Sequence, residues 1–202
     1  MLGFWIVLAI VVGILIGWPV MRWKRRQRLL KTPLPDPWME ILKRNCSLYA
    51  YLPNALREEL HGLIQVFLDE KQFVGCNGLD ITDEIRVTIA GQACFLLLNR
   101  KSHFFKDFTS ILVYPHVYQA PVLNDGPGGM IEERVQARAG EALMRGPVAL
   151  AWDQVRQGAR NQLDGHNVVM HEFAHVLDFE DGAADGVPEM NASAFAAWGK
   201  VA

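Results

Sequence analysis

The spacing of apolar and polar positions divides the chain into segments of different character. Residues Leu2 to Met21 carry no charge and are dominated by Ile, Val, Leu, Trp and Phe. A run of about 20 such residues matches the hydrocarbon thickness of a bilayer. From Pro53 to Lys71, Leu56, Leu60, Leu63, Ile64, Phe67 and Leu68 recur at helical spacing, which predicts an amphipathic helix with Pro53 tolerated in its first turn. A second helix is expected from Thr82 through Ile85, Ile89, Ala93 and Leu97, with Asp83 and Glu84 favourably placed near its positive end. The pattern then changes to β-formers at Ser110–Tyr118, partial alternation at Ile131–Arg138 and a short apolar run at Pro147–Trp152, which predicts three strands. A short helix from Asp153 to Arg160 follows, and then an apolar helix from Val168 to Phe179, with Asp164 and Asn167 as candidate caps. Helices with a small sheet give an α+β fold class.

The last helix carries the chemistry. His171-Glu172-Phe173-Ala174-His175 is an HExxH pattern. At 100° per residue, two imidazoles four positions apart lie about 40° from each other and one turn up, so both reach one metal ion. Glu172 is offset by about 100° from His171, which suits a general base acting on a metal-bound water rather than a ligand. Val168, Val169, Met170, Phe173, Ala174, Val176, Leu177 and Phe179 make the helix apolar on most sides, so a charged triplet within it calls for a compensating partner, and a metal accounts for all three residues together. Asp178 returns to within about 20° of His171 on the same face. It is read either as an acceptor that fixes a histidine tautomer or as an ordinary carboxylate in the last turn. His166 falls off the metal face and is read as structural. His61, expected on the exposed side of its helix, and His103 and His116, without partner spacing, are read as non-ligands.

Composition refines the setting. With a net charge of −2 and 50% hydrophobic residues, the chain has material for one packed domain plus an appendage, and no electrostatic case for nucleic-acid binding. Cys46, Cys76 and Cys94 are odd in number and form no CxxC, which fits a reducing compartment. Arg22, Lys24, Arg25, Arg26 and Arg28 directly follow the apolar run, and Trp5, Trp18 and Trp23 suit interfacial positions. The positive-inside rule then gives a single-pass anchor in the cell (inner) membrane with the domain cytoplasmic; a cleaved signal peptide would carry its charge before the apolar run. Three prolines in Lys31–Pro37 suggest a stiff, extended linker. The boundaries that follow are 1–22 for the transmembrane anchor, 23–37 for the basic and Pro-rich linker, and 38–202 for the folded domain. The glycine-rich Asn124–Gly129 reads as a turn, not a phosphate loop, since no GK[ST] follows it.

The string His166–Asp178, followed by Asp181–Gly186 and Pro188, resembles the Mlc titration factor A family of zinc-dependent peptidases, as do Phe73–Gly75 with Leu79–Leu98, and Gly146–Leu150 with Trp152 and Asp153. The resemblance implies a zincin-like domain, aminopeptidase-type activity on peptide or protein substrates, and one zinc ion held by His171, His175 and a glutamate further along. It also implies, for the best-known member, binding to a sugar-responsive transcriptional repressor, Mlc. The family's third ligand lies several tens of residues after the second histidine, so it is expected beyond Ala202, with the domain incomplete at its C-terminus. Glu180, Asp181, Asp185 and Glu189 are local alternatives. Three functions remain in play: a zinc peptidase with Glu172 as general base, a catalytically inactive membrane-held module that captures a cytoplasmic regulator, and a metal hydrolase acting on something other than peptides.

Overall fold

A computed structural model describes residues 2–100, 104–106, 108–125, 131–138, 140–142, 146–161 and 165–178, with backbone alone at 2, 5–14, 16, 118–125, 131–138 and 141. It is an α+β fold of six helices, one 3₁₀ turn, a four-stranded sheet and a two-stranded hairpin among the described residues.

Helix α3 (Asn54–Glu70) forms where the apolar spacing predicts it, buries Leu60, Leu63, Ile64, Phe67 and Leu68, and starts immediately after Pro53. Helix α4 (Asp83–Phe95) is capped by Thr82, whose hydroxyl accepts the Ile85 N–H at 3.3 Å, and carries Asp83 and Glu84 in its first turn. Between them lies β1 (Gln72–Gly75), and after α4 comes β2 (Ser110–Tyr114). Strand β1 pairs in parallel with β2, β2 in parallel with β6 (Val148–Ala151), and β6 antiparallel with β5 (Gly140–Ala142), giving the order β1-β2-β6-β5. Ile111, Val113, Val148 and Leu150 are fully buried and join the helices in one core. Helix α5 (Trp152–Arg160) leaves the end of β6, and α6 (Val168–Asp178) packs beside β5.

Several expectations need correction. The run Ser110–Tyr118 is not one strand: it breaks at Pro115, which cannot donate to a ladder, and Tyr118 opens β3 (Tyr118–Asp125), paired antiparallel with β4 (Ile131–Arg138) in a separate hairpin. Its glycine-rich connection at 126–129 lies outside the described residues. Strands β1 and β5, only 4 and 3 residues long, are too short to show periodicity in the sequence. Helix α2 (Asp36–Asn45) begins within the proline run and uses Pro37 in its first turn, where a missing N–H costs nothing. Leu34, just before it, is buried.

At the N-terminal end, α1 runs continuously from Leu2 to Leu29, through the basic cluster. Counted over the described residues, no helix is long and apolar enough to cross a membrane; the side chains of 5–14 and 16 lie outside that count. The basic end of α1 docks on α3. Arg22 and Arg26 both bond the Glu70 carboxylate through Nη2–Oε2 contacts of 2.8 Å, and Arg25 pairs with Asp69. Gly62 lets the helices meet, since a Cβ there would lie 2.6 Å from the Leu30 carbonyl oxygen. Burial alone would raise the Glu70 pKa, but the two guanidinium hydrogen bonds outweigh it and hold the carboxyl at about 2.

Candidate metal centre

Helix α6 is set in place from its first turn. The Asn167 side-chain oxygen accepts the Met170 N–H at 2.9 Å, as expected of an N-cap, and the Asn167 carbonyl accepts the His171 N–H at 2.9 Å. One face is buried: Val169 and Phe173 are fully enclosed, with Val176 and Leu177 nearly so. Phe173 is the centre of an aromatic cluster, with ring centroids 5.0 Å from Phe105 and 5.6 Å from both Phe67 and Phe108. Offset and edge-on contacts of this kind add to the area they bury. The wall behind Phe173 is held by the buried Lys71 ammonium, which donates to the carbonyls of Phe105 and Phe108. Burial pushes the Lys71 pKa down to about 8.

The opposite face of α6 points to solvent and carries His171 and His175. Their Nε2 atoms are 3.3 Å apart, with ring centroids 4.7 Å apart and planes at 86°. That separation suits an N–H···N hydrogen bond. It also equals, within a tenth of an ångström, the roughly 3.4 Å between two nitrogens that bind one tetrahedral zinc ion at about 2.05 Å. The spacing of the two nitrogens is that of two ligands to one zinc ion.

Glu172 is only 6% exposed and faces β5. Gly140 of β5 makes this approach possible: a Cβ there would lie 2.8 Å from both Cγ and Oε1 of Glu172 and 2.6 Å from a methyl of Val168. One carboxylate oxygen of Glu172 thus lies close against the sheet edge at Gly140. Asp178 is buried on the histidine stripe one turn further, and its Oδ1 has no hydrogen-bond partner among the described residues.

Among the described residues no third His, Cys, Asp or Glu joins the pair to complete a metal cluster. Glu180, Asp181, Asp185 and Glu189 lie outside the described residues, as do Asp164 and His103. His166 is exposed ahead of the helix, and His116 meets Asp153 at 3.2 Å away from the pair. The expectation for His61 is corrected: it is half-buried, stacks on Tyr49 and shares a 2.8 Å hydrogen bond with the Tyr49 hydroxyl. Burial lowers its pKa.

Both sides of β2 and of β6 are occupied by other strands, and β4 belongs to the hairpin; the strand at the sheet edge beside α6 is β5. Gly140 and Gln92 touch the site helix or its cap from far along the chain, and Gly158 meets the cap from nine residues away, none of which the apolar pattern shows. Only Gly140 carries a local signal, a glycine flanking a short alternating run.

Over residues 20–202 the chain matches the glucose-regulated metallo-peptidase M90 family. An uncharacterized protein of Synechocystis is 42% identical over 189 residues, covering 92% of this chain and 69% of that protein. Mlc titration factor A of Escherichia coli is 27% identical over 185 residues, covering 91% of this chain and 66% of the relative, and that of Shigella flexneri is 26% identical over the same length. The chain thus spans about two thirds of the length of the curated relatives it matches. Extent of match and the HExxH helix agree, and the chain belongs to the M90 metallopeptidase family.

Proposed function

We propose that this chain is a zinc-dependent peptidase of aminopeptidase type, with His171 and His175 as metal ligands and Glu172 as general base. The observation that carries the reading is the 3.3 Å convergence of two imidazole nitrogens on the solvent face of α6, with a buried carboxylate at the adjoining position. A zinc ion held by His171 and His175 would supply Lewis acidity toward a water and a peptide carbonyl. Glu172 would be the group that accepts a proton from the attacking water and gives it to the departing amine. Its burial against β5 keeps the carboxylate fixed and partly desolvated. The edge of β5 offers backbone N–H and C=O groups to an extended peptide, which would run past Glu172 as an added strand. Asp178 supplies an acceptor for an N–H at the far end of the histidine stripe. Among the described residues no third ligand joins the pair.

The apolar run Leu2–Met21 followed by the basic cluster supports a single-pass anchor with the domain on the cytoplasmic side of the inner membrane. A second reading is favoured by the name of the Escherichia coli and Shigella relatives, Mlc titration factor A: the domain captures a transcriptional repressor and has no turnover. One experiment separates the two. Glu172→Gln should keep stoichiometric zinc while peptide hydrolysis falls by roughly 10²- to 10⁴-fold. Full turnover in that variant contradicts the general-base role. Absence of chelator-sensitive hydrolysis in the wild type, together with saturable repressor binding, selects the capture reading.

A further inference from the structure

Among the described residues, exposed large apolar side chains concentrate on α1, where Leu15, Trp18, Val20, Met21 and Trp23 are each 45% or more exposed. At 100° per residue these five surround the helix axis with no gap wider than about 100°. A protein groove covers one stripe of a helix, whereas lipid covers every side. Cations take over within the next turn: Arg22, Lys24, Arg25, Arg26 and Arg28. Three of them are engaged by α3, Arg22 and Arg26 by Glu70 and Arg25 by Asp69. Three guanidinium groups against two carboxylates leave this junction with one positive charge in excess.

Lys24 and Arg28 are placed differently. Four positions apart, they share one side of α1, about 40° from each other. Both are exposed, and neither side chain makes an ion pair or hydrogen bond among the described residues. With Trp18 and Met21 they line an open cleft of ≈ 690 Å³ between α1 and the end of α3. Asp69 and Glu70 border the same cleft, but the arginines already hold both carboxylates. The cleft is thus apolar toward the start of α1 and cationic toward the folded domain. A phospholipid presents the same order, with acyl chains and glycerol on one side and phosphate on the other. An ammonium and a guanidinium fork with no protein carboxylate to satisfy them suit the two free oxygens of a phosphodiester. The ion pairs from α1 to α3 hold these groups on a docked helix rather than on a flexible linker.

We infer that Lys24 and Arg28 form a headgroup site for an anionic phospholipid, with Trp18 and Met21 against its glycerol and upper acyl carbons. The inference rests on the membrane reading of α1 given above. The full chain reconstituted in phosphatidylcholine vesicles tests it. Energy transfer from tryptophan to a trace of dansyl-labelled lipid is compared for phosphatidylglycerol and phosphatidylcholine. Labelled phosphatidylglycerol should be enriched around the wild-type chain. Lys24→Gln and Arg28→Gln should each lower that preference about fivefold, the worth of one cation at an anionic lipid surface. Lys43→Gln removes the same net charge from α2 and should leave the preference unchanged. Equal transfer to the two lipids in the wild type, or an equal loss in Lys43→Gln, overturns the headgroup site. A chain that resists carbonate extraction yet shows no preference overturns the site and leaves the anchor standing. A chain that carbonate extracts overturns the anchor, and the headgroup site with it.

Discussion

Two polar regions of this molecule are built in opposite ways. Where α1 meets α3, cations meet carboxylates: Arg22 and Arg26 share Glu70, and Arg25 takes Asp69. On α6, two imidazole nitrogens are brought within 3.3 Å on a solvent-facing stripe. The first arrangement is self-sufficient and serves docking. The second is the solvent-facing nitrogen pair proposed above to hold the metal. The supports differ as well: the junction rests on ion pairs of arginines that are exposed or, for Arg26, half-buried, whereas α6 rests on a buried aromatic cluster and a buried amide contact.

Truncating the support of the site helix should have the largest effect on stability. Phe173→Ala removes a fully buried ring from contact with Phe67, Phe105 and Phe108, and should cost about 3–5 kcal/mol in denaturant unfolding. A loss below 1 kcal/mol would mean that the aromatic cluster does not hold the helix. Gly140→Ala comes next. Its Cβ would overlap the Glu172 carboxylate, so about 1–3 kcal/mol of stability and most of the turnover should go, while zinc stays bound. Normal turnover in Gly140→Ala would show that Glu172 does not act from its place against β5.

The junction should respond more weakly and with a pH signature. The Glu70 pKa, lowered from 4.5 to about 2, means that the folded state binds fewer protons than the unfolded chain between those values. Its contribution is therefore complete above pH 4.5 and lost as pH falls toward 2. Glu70→Gln should lower stability at pH 7 by on the order of 1 kcal/mol and remove that part of the acid slope, with zinc affinity unchanged. An equal acid slope in wild type and variant would show that the pairs contribute nothing.

The same contrast explains what was legible in the sequence. The spacing of His171, Glu172 and His175 and the cap at Asn167 are local facts of an eleven-residue helix, so pattern alone located them. The helical run of α3 and the Thr82 cap were readable for the same reason. The supports of the site are non-local. Gln92 looks like any polar residue on an apolar helix until α4 is packed on α5 and α6, and Gly140 gains meaning only when β5 lies against Glu172. The basic cluster of α1 was legible as charge but not as docking, because its partners Asp69 and Glu70 lie more than forty residues away. Pro115 shows the remaining limit: a run of β-formers continued past it, yet the missing N–H divides that run between the sheet and a hairpin.

The central claim is that the paired imidazoles of α6 are metal ligands. X-ray absorption at the zinc edge of the metal-loaded full chain tests it most directly, read beside the His171→Ala and His175→Ala variants. The account predicts a first shell with two imidazole nitrogens at about 2.0–2.1 Å in the wild type, and loss of stoichiometric zinc in each variant. Stoichiometric zinc that persists in either variant, or a first shell dominated by sulfur, would contradict it.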